Sequence, residues 1–293
     1  MPLVFRPTSH FKLSVELDQF CPEQLCNVAI FDLLHRHARV GGRDIEWGDL
    51  FTITQDGNRD SVRLEGDFSH VHGIAAGMMT GTIMVDGSVG RHAAQGMGGG
   101  RLEVRENAGD FLAAQLAGGV VFVRGDAGNN VAAALAGRRT GVVGGVVIVL
   151  GNVGHLAGAR MRRGLLAIGK NAGEGLGLEL HAGTIVVAAG IGAHPLVGMQ
   201  RGSLIALESM TDQNIPVTFR RGTQWCPQTL GLIRSHIARC IGEDDSKHSL
   251  CNEQLWRGPW MHWHGDVLAG GRGEIFCTCG PSIATTIASI SPN

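Results

Sequence analysis

The chain of 293 residues is long enough for one large or two ordinary domains, and its composition is skewed: 45 glycines, no tyrosine, 5% aromatic and 17% charged residues, against averages of about 7% glycine and about 25% charged. A formal net charge of −1 supplies neither a polybasic tail nor a uniform field, which argues against nucleic acid and an anionic membrane surface as partners. No apolar run reaches the ~18 residues of a membrane span, the first residues lack a basic-then-apolar leader pattern, and seven scattered cysteines do not form a secreted disulfide framework. The expectation is therefore a soluble, cytoplasmic protein with reduced thiols.

Residues 1–59 hold a strand-like Lys12-Leu13-Ser14-Val15-Glu16-Leu17, a mixed polar and apolar stretch from Asp18 to Leu34, and Glu46-Trp47-Gly48-Asp49-Leu50-Phe51-Thr52-Ile53. They read as a small N-terminal cap. A worn coil follows at Ser61-Val62-Arg63-Leu64-Glu65-Gly66-Asp67, as terminal repeats are often atypical.

Residues 60–208 are periodic. A glycine precedes each short apolar run at Gly81, Gly100, Gly119, Gly145, Gly164, Gly183 and Gly202, in steps of 19, 19, 26, 19, 19 and 19. A second glycine recurs nine residues later, at Gly90, Gly109, Gly128, Gly154, Gly173 and Gly192. A large aliphatic residue stands three before each leading glycine: Met78, Met97, Leu116, Val142, Met161, Leu180 and Met199. Runs such as Thr82-Ile83-Met84-Val85 place Ile83 and Val85 on one face. One coil cannot bury that face, whereas stacked coils pair each strand with its neighbours and make a continuous apolar column. At ~4.8 Å per coil the stack is on the order of 30 Å long. The 26-residue step predicts a protruding insert within Arg138-Arg139-Thr140-Gly141-Val142-Val143-Gly144. Left-handed hexapeptide helices repeat every 18 residues, so a period of 19 argues against them, and parallel crossovers are right-handed by default. The fold class read from the sequence is all-β: a right-handed parallel β-helix of seven to eight 19-residue coils, with an N-terminal cap and a C-terminal helix and extension.

In residues 209–293, Pro216-Val217-Thr218-Phe219 is extended, and Leu230, Ile233, Ile237 and Ile241 fall at helical spacing. A polar loop from Gly242 to His248, three tryptophans (Trp256, Trp260, Trp263) and Gly270-Gly271-Arg272-Gly273-Glu274-Ile275 follow. A helix with tryptophans after a rod suggests a cap or docking surface.

Chemistry-bearing patterns are sparse. Cys277-Thr278-Cys279 and the pairs His35/His37, His70/His72 and His262/His264 are two-ligand sets, short of a metal site. Glycosidic chemistry takes two carboxylates on one face, and Asp86, Glu103, Glu106, Asp110, Asp126, Glu174 and Glu179 form no row across the coils. Glu106, Asp110 and Asp126 read as solvated corners. Gly96-Met97-Gly98-Gly99-Gly100 lacks the Lys-Ser/Thr of a phosphate loop. No catalytic or metal residue is assigned. Arg138, Arg139, Arg160, Arg162, Arg163 and Lys170 lie in or near successive coils and form a candidate cofactor-binding patch for an anionic chain, to be weighed against a solvated face or ordinary ion pairs.

Gly73-Ile74-Ala75-Ala76-Gly77-Met78-Met79-Thr80-Gly81, Gly96-Met97-Gly98-Gly99-Gly100 and Gly125-Asp126-Ala127-Gly128 resemble the glycine-repeat domain shared by the C-terminal part of the glutamate synthase large subunit and the C subunit of formylmethanofuran dehydrogenase. A glutamate synthase would need an amidotransferase and a flavin barrel, for which the chain has no room. Gly48-Asp49-Leu50-Phe51, Pro216-Val217-Thr218-Phe219, Gly265-Asp266 and Gly271-Arg272-Gly273-Glu274-Ile275 look like the C subunit of the bacterial formyltransferase/hydrolase complex. In residues 242–263, including Cys251, no motif can be placed. The resemblance implies a non-catalytic scaffold in one-carbon metabolism, binding no cofactor itself, whose partners are the hydrolase and transferase subunits of that complex. It also implies a methanofuran-type carrier in the complex, whose polyglutamate tail is a candidate ligand for the basic patch. The alternatives are the C subunit of an archaeal-type formylmethanofuran dehydrogenase, a free-standing enzyme using Arg162 and Arg163, and a β-helical binding module for an acidic polymer.

Overall fold

The computed structural model describes residues 2–55, 61–210 and 214–278. The first fifty or so residues wrap one end of the stack. They comprise strands β1 (Leu3–Pro7) and β2 (Val15–Glu16), short helices α1 (Pro22–Leu25) and α2 (Ile30–Leu34), strands β3 (His37–Val40) and β4 (Arg43–Glu46), helix α3 (Trp47–Leu50) and strand β5 (Phe51–Gln55). β1 lies between β5, antiparallel, and the first coil strand β6 (Ser61–Leu64), parallel. Strands β4, β3 and β2 form a second sheet completed by β7 (Val71–His72). The apolar end of the stack is closed by aromatic rings: Phe5 meets Phe20 at 5.0 Å and Trp47 and Phe51 at 6.1 Å, all edge-on, the arrangement the ring quadrupoles favour.

The coils stack in register. After β6 come β8 (Thr82–Val85), β9 (Arg101–Val104), β10 (Val120–Val123), β11 (Val146–Val149), β12 (Leu165–Ile168), β13 (Thr184–Val187) and β14 (Arg201–Ala206), each parallel to the next. Val62, Ile83, Leu102, Val121, Val147, Leu166, Ile185 and Leu204 are successive partners and each is at most 1% exposed. Phe68, Val89, Ala108, Ala127, Val153, Ala172 and Ile191 form a second parallel row of single bridges. A third row of backbone bonds runs from Ala94 N–H to Ile74 O, Ala113 to Ala93, Ala132 to Leu112, Gly158 to Val131, Gly177 to Ala157 and Leu196 to Leu176. The stretch at Ser61–Asp67 is thus a full member of the stack, and the aliphatic column from Met78 to Met199 points inward, each residue at most 1% exposed.

The two glycine columns have different causes. The leading glycines, Gly81 to Gly202, all sit at φ between +81° and +112°, where a side chain is strained. The second column needs no positive φ; its glycines lie against the backbone of the coil before, so that a Cβ on Gly109 or Gly173 would stand 2.8 or 2.7 Å from the previous coil's carbonyl carbon. Between the columns the chain alternates hand: the rows of residues matching His92, Ala94 and Gly96 are left-handed in nearly every coil, whether occupied by glycine or by Ala113, Phe111, Leu156, Leu196 or Glu179.

Side chains tie the corners together, which corrects the reading of the acidic residues. Asp126 Oδ1 accepts from the backbone N–H of Asn152 at 2.6 Å, Asn107 Oδ1 from Asp126 N–H at 2.8 Å, Asn152 Oδ1 from Asn171 N–H at 3.2 Å, and Asn171 Oδ1 from Gly190 N–H at 2.9 Å. Three residues on, His72, Asp110, Asn129 and His155 each accept from the next coil in the same manner. Asp110 and Asp126 are therefore structural acceptors, while Glu106 stays exposed and takes a hydrogen bond from Ser88. Both ladders cross the 26-residue step without a break. The inserted residues lie later in that coil than the ladders and earlier than the sequence suggested. Ala134 N–H still donates to Ala159 O, and Gly141 N–H to Arg160 O, so the extra chain falls between Ala134 and Gly141, and Val142 to Gly144 belong to the regular coil.

The last segment adds β15 (Arg220–Trp225), helix α4 (Thr229–Ile241), β16 (Trp260–Gly265) and β17 (Arg272–Thr278). β17 lies parallel on β14, then β16 and β15 follow antiparallel, giving a 13-stranded sheet. α4 and its following loop cover the outer face of β10 to β14. There Phe122, Ile148, Ala167, Val186 and Ile205 pack with Leu230, Ile237, Ile241, Leu250 and Trp256 in a second apolar core. Half-buried charges fasten its border: Arg124 pairs with Glu103 at 2.7 Å and with Asp245 at 2.8 Å, and Arg101 donates to Cys240 O at 2.9 Å.

Candidate functional site

The structure distributes the six basic residues over three places. Arg138 and Arg139 are exposed in the insert. Arg160 joins them, donating to Arg138 O at 3.2 Å while its Nε pairs with Glu179 at 2.7 Å, so part of that charge is answered within the chain. Arg162 and Arg163 are exposed at the corner preceding β12, whereas Lys170 is exposed past its other end, up to roughly 20 Å of extended chain away.

The corner preceding the strands gathers further polar side chains, among them two more arginines. His181 and Gln200 occupy the coil position of Arg162, and Ala182 and Arg201 that of Arg163; β17 then sets Arg272 directly beside Arg201. His181, Gln200, Arg201, Ala269, Gly270 and Arg272 line one cavity of about 380 Å³. Among the described residues no carboxylate comes within ion-pair distance of Arg162, Arg163, Arg201 or Arg272. The nearby Asp266 is buried, with its oxygens accepting from the N–H groups of Leu268 and Gly198 at 2.9 and 3.2 Å. Cations held on a rigid stacked corner set up a fixed positive local field. Arg201 had a sequence signal, its offset from the leading glycine. Arg272 had none, since it reaches the row through a strand outside the repeat.

The histidine pairs are separate from this corner. His262 is buried, stacked on Phe276 at 4.6 Å, 4.0 Å from the ring of His264, and 3.4 Å from Glu274 Oε1. Burial, and then the neighbouring His264, hold its pKa below the ordinary value, against the opposing pull of Glu274. His72 is lowered by burial and by Arg91 and accepts from Arg91 N–H in the corner ladder. His35 Nδ1 lies 2.8 Å from Phe31 O. Among the described residues no group of three or more His, Cys, Asp or Glu side chains converges as a metal site. Cys277 is buried in β17; Cys279 lies outside the described residues. No helix among them is long and apolar enough to cross a membrane.

No family model matches the chain. Over 91 residues it is 30% identical to the C subunit of the molybdenum-containing formylmethanofuran dehydrogenase 1 of Methanothermobacter marburgensis, a stretch that spans 31% of this chain and 23% of that protein. The whole fold is similar to a chain in the crystal structure of the formyltransferase/hydrolase complex from Methylorubrum extorquens in complex with methylofuran. That likeness has a TM-score of 0.83 at 28% identity and covers 94% of this chain and 100% of the other. The two comparisons support a relationship to the C-subunit family of the formylmethanofuran dehydrogenases and formyltransferase/hydrolase complexes.

Proposed function

We propose that this chain is a non-catalytic structural subunit of a complex that handles a formyl group on a methanofuran-type carrier, holding the hydrolase and transferase subunits together. The observation that carries the reading is the full-length likeness to a chain of the Methylorubrum complex. The build of the molecule supports it: Asp110, Asp126 and the asparagine ladders are engaged in joining coils, and long rows of exact register make a stiff body suited to holding partners at fixed distance. We take the coils to be right-handed and the stack to run from about residue 60 to residue 208. The carrier is expected to act in the assembly, with its acidic tail a candidate for the cations at Arg138, Arg139, Arg160, Arg162, Arg163 and Lys170.

The test is purification of the tagged chain from its native source with an inventory of what accompanies it. Hydrolase and transferase subunits in constant ratio are expected; recovery as a lone monomer at low ionic strength refutes the proposal. Two other readings have their own support. The local identity to the dehydrogenase protein favours an archaeal-type assembly, which the same inventory would reveal by its molybdenum-containing partner. The unpaired arginines favour a module for an acidic polymer, and unchanged poly-L-glutamate affinity after Arg139, Arg162 and Arg163 are all replaced by Glu would remove it.

A further inference from the structure

At the end of the stack where β17 is added lie the two most solvent-accessible large apolar side chains among the described residues. Val217 is 96% and Leu268 84% exposed, with Val267 at 45%. They are neighbours: Val267 N–H donates to Thr218 O at 3.1 Å, setting the Val217 loop against the turn that carries Leu268. That turn continues through Ala269 and Gly270, which line the cavity holding Arg201 and Arg272. The turn is held firmly, since Asp266 caps it and is itself buried. A rigid apolar knob beside cations that have no carboxylate within ion-pair distance among the described residues is the pattern of a protein interface, with an apolar centre and a charged rim. A free acidic polymer would use the arginines and have no use for Leu268.

We infer that this corner is the docking surface for a second protein subunit, one that presents an apolar recess for Leu268 and Val217 bordered by carboxylates facing Arg201 and Arg272. The inference rests on the reading of the chain as part of a complex and names the surface it would use. Apolar contact sets how long the subunits stay together, and the charged rim sets the salt dependence of assembly.

The experiment is native mass spectrometry of the tagged complex purified from its source, comparing the unaltered chain with Leu268→Asp, with Arg201→Glu/Arg272→Glu, and with Lys12→Glu/Arg43→Glu in the N-terminal cap as a control. All the altered side chains are exposed, and unchanged melting temperatures of the isolated variants confirm folding. Leu268→Asp is expected to lower occupancy of one partner at least tenfold, and the Arg201/Arg272 variant to dissociate at lower salt, while the control assembles normally. A photoreactive residue at 268 should cross-link to an acidic, apolar peptide of another chain. If the unaltered chain assembles but the variants keep every partner, the surface is wrong and the proposed role in a complex stands; if the unaltered chain never assembles, both fall. Cross-links confined to this chain, or loss of poly-L-glutamate binding with all subunits retained, would also overturn the assignment.

Discussion

Replacing Gly173 by alanine isolates what coil stacking requires. The added Cβ would stand 2.7 Å from the carbonyl carbon and oxygen of Gly154 and 2.9 Å from His155 N, where ordinary contact is 3.4 Å or more. All three atoms are backbone, held by the bond from Gly173 N–H to Val153 O at 3.0 Å and by His155 Nδ1 accepting from Glu174 N–H at 3.2 Å, so none can swing aside. The coils must separate locally by several tenths of an ångström, and overpacking of this kind costs typically 1–3 kcal/mol; with no flexible neighbour the upper value, about 3 kcal/mol, is expected. For a chain of this size about 1 kcal/mol moves the melting temperature by roughly 2–4 °C, which gives a drop of roughly 6–12 °C by calorimetry. Gly137→Ala in the insert is the counterpart: its φ is +77° but nothing lies within 4 Å, so only the left-handed strain of about 1–2 kcal/mol applies. Equal losses at the two sites, or a larger one at Gly137, would refute the claim that close approach, rather than backbone freedom, fixes the second glycine column.

Asn152→Ala leaves the N–H of Asn171 without its acceptor and removes a rung of the ladder, for about 1–2 kcal/mol, read as faster amide exchange at Asn171. Arg124→Met breaks the contacts to Glu103 and Asp245 that fasten the loop after α4; hydrogen exchange over residues 229–248 should rise while the inner strands stay protected. The pKa values of His262, His72 and His248 all lie below the ordinary 6.5, burial being the first cause in each. The unfolded chain therefore takes up protons first as pH falls below 6.5, and stability is complete above that value and lost below it. The melting temperature should fall between about pH 6.5 and about pH 5, less steeply in His262→Gln; a profile that is flat there, or one the substitution leaves unchanged, contradicts the burial argument.

The register of the coils was legible because three residue types repeat at fixed offsets, and the ladder from Val62 to Leu204 is where the period-2 reading puts it. The second core was not anticipated, although its signal was present: Val146-Val147-Ile148-Val149 and Leu165-Leu166-Ala167-Ile168 do not alternate, and strands apolar on both faces are covered on both. By contrast Arg101-Leu102-Glu103-Val104 does alternate, and its outer face carries ion pairs. The corner acceptors were missed because an aspartate that accepts from the coil above has the same sequence signature as one in water; only the stacking distinguishes them. The marker spacing gives the length of an insertion without its starting point, so the insert lies a few residues earlier than Arg138 to Gly144. Of the cationic corner, Arg162 and Arg163 were visible within the repeat, whereas Arg272 enters through the β14 and β17 pairing, which no local pattern announces.

The two extremes of the 13-stranded sheet share one property. At one, β5 runs antiparallel to β1; at the other, β16 and β15 run antiparallel to β17 and β16. A stack of parallel coils can be lengthened by any chain that presents another coil, including a copy of itself, so an unmodified last strand would template fibre growth. Reversing the chain direction at both extremes denies an incoming coil a last strand of its own direction, and β15 further presents Arg220 and Arg221, exposed and like-charged, to any strand that approaches. Truncation after Ala206 would strip this protection from one extreme only; because β5 still closes the other, the shortened chain should pair through its bared end into dimers and grow no further.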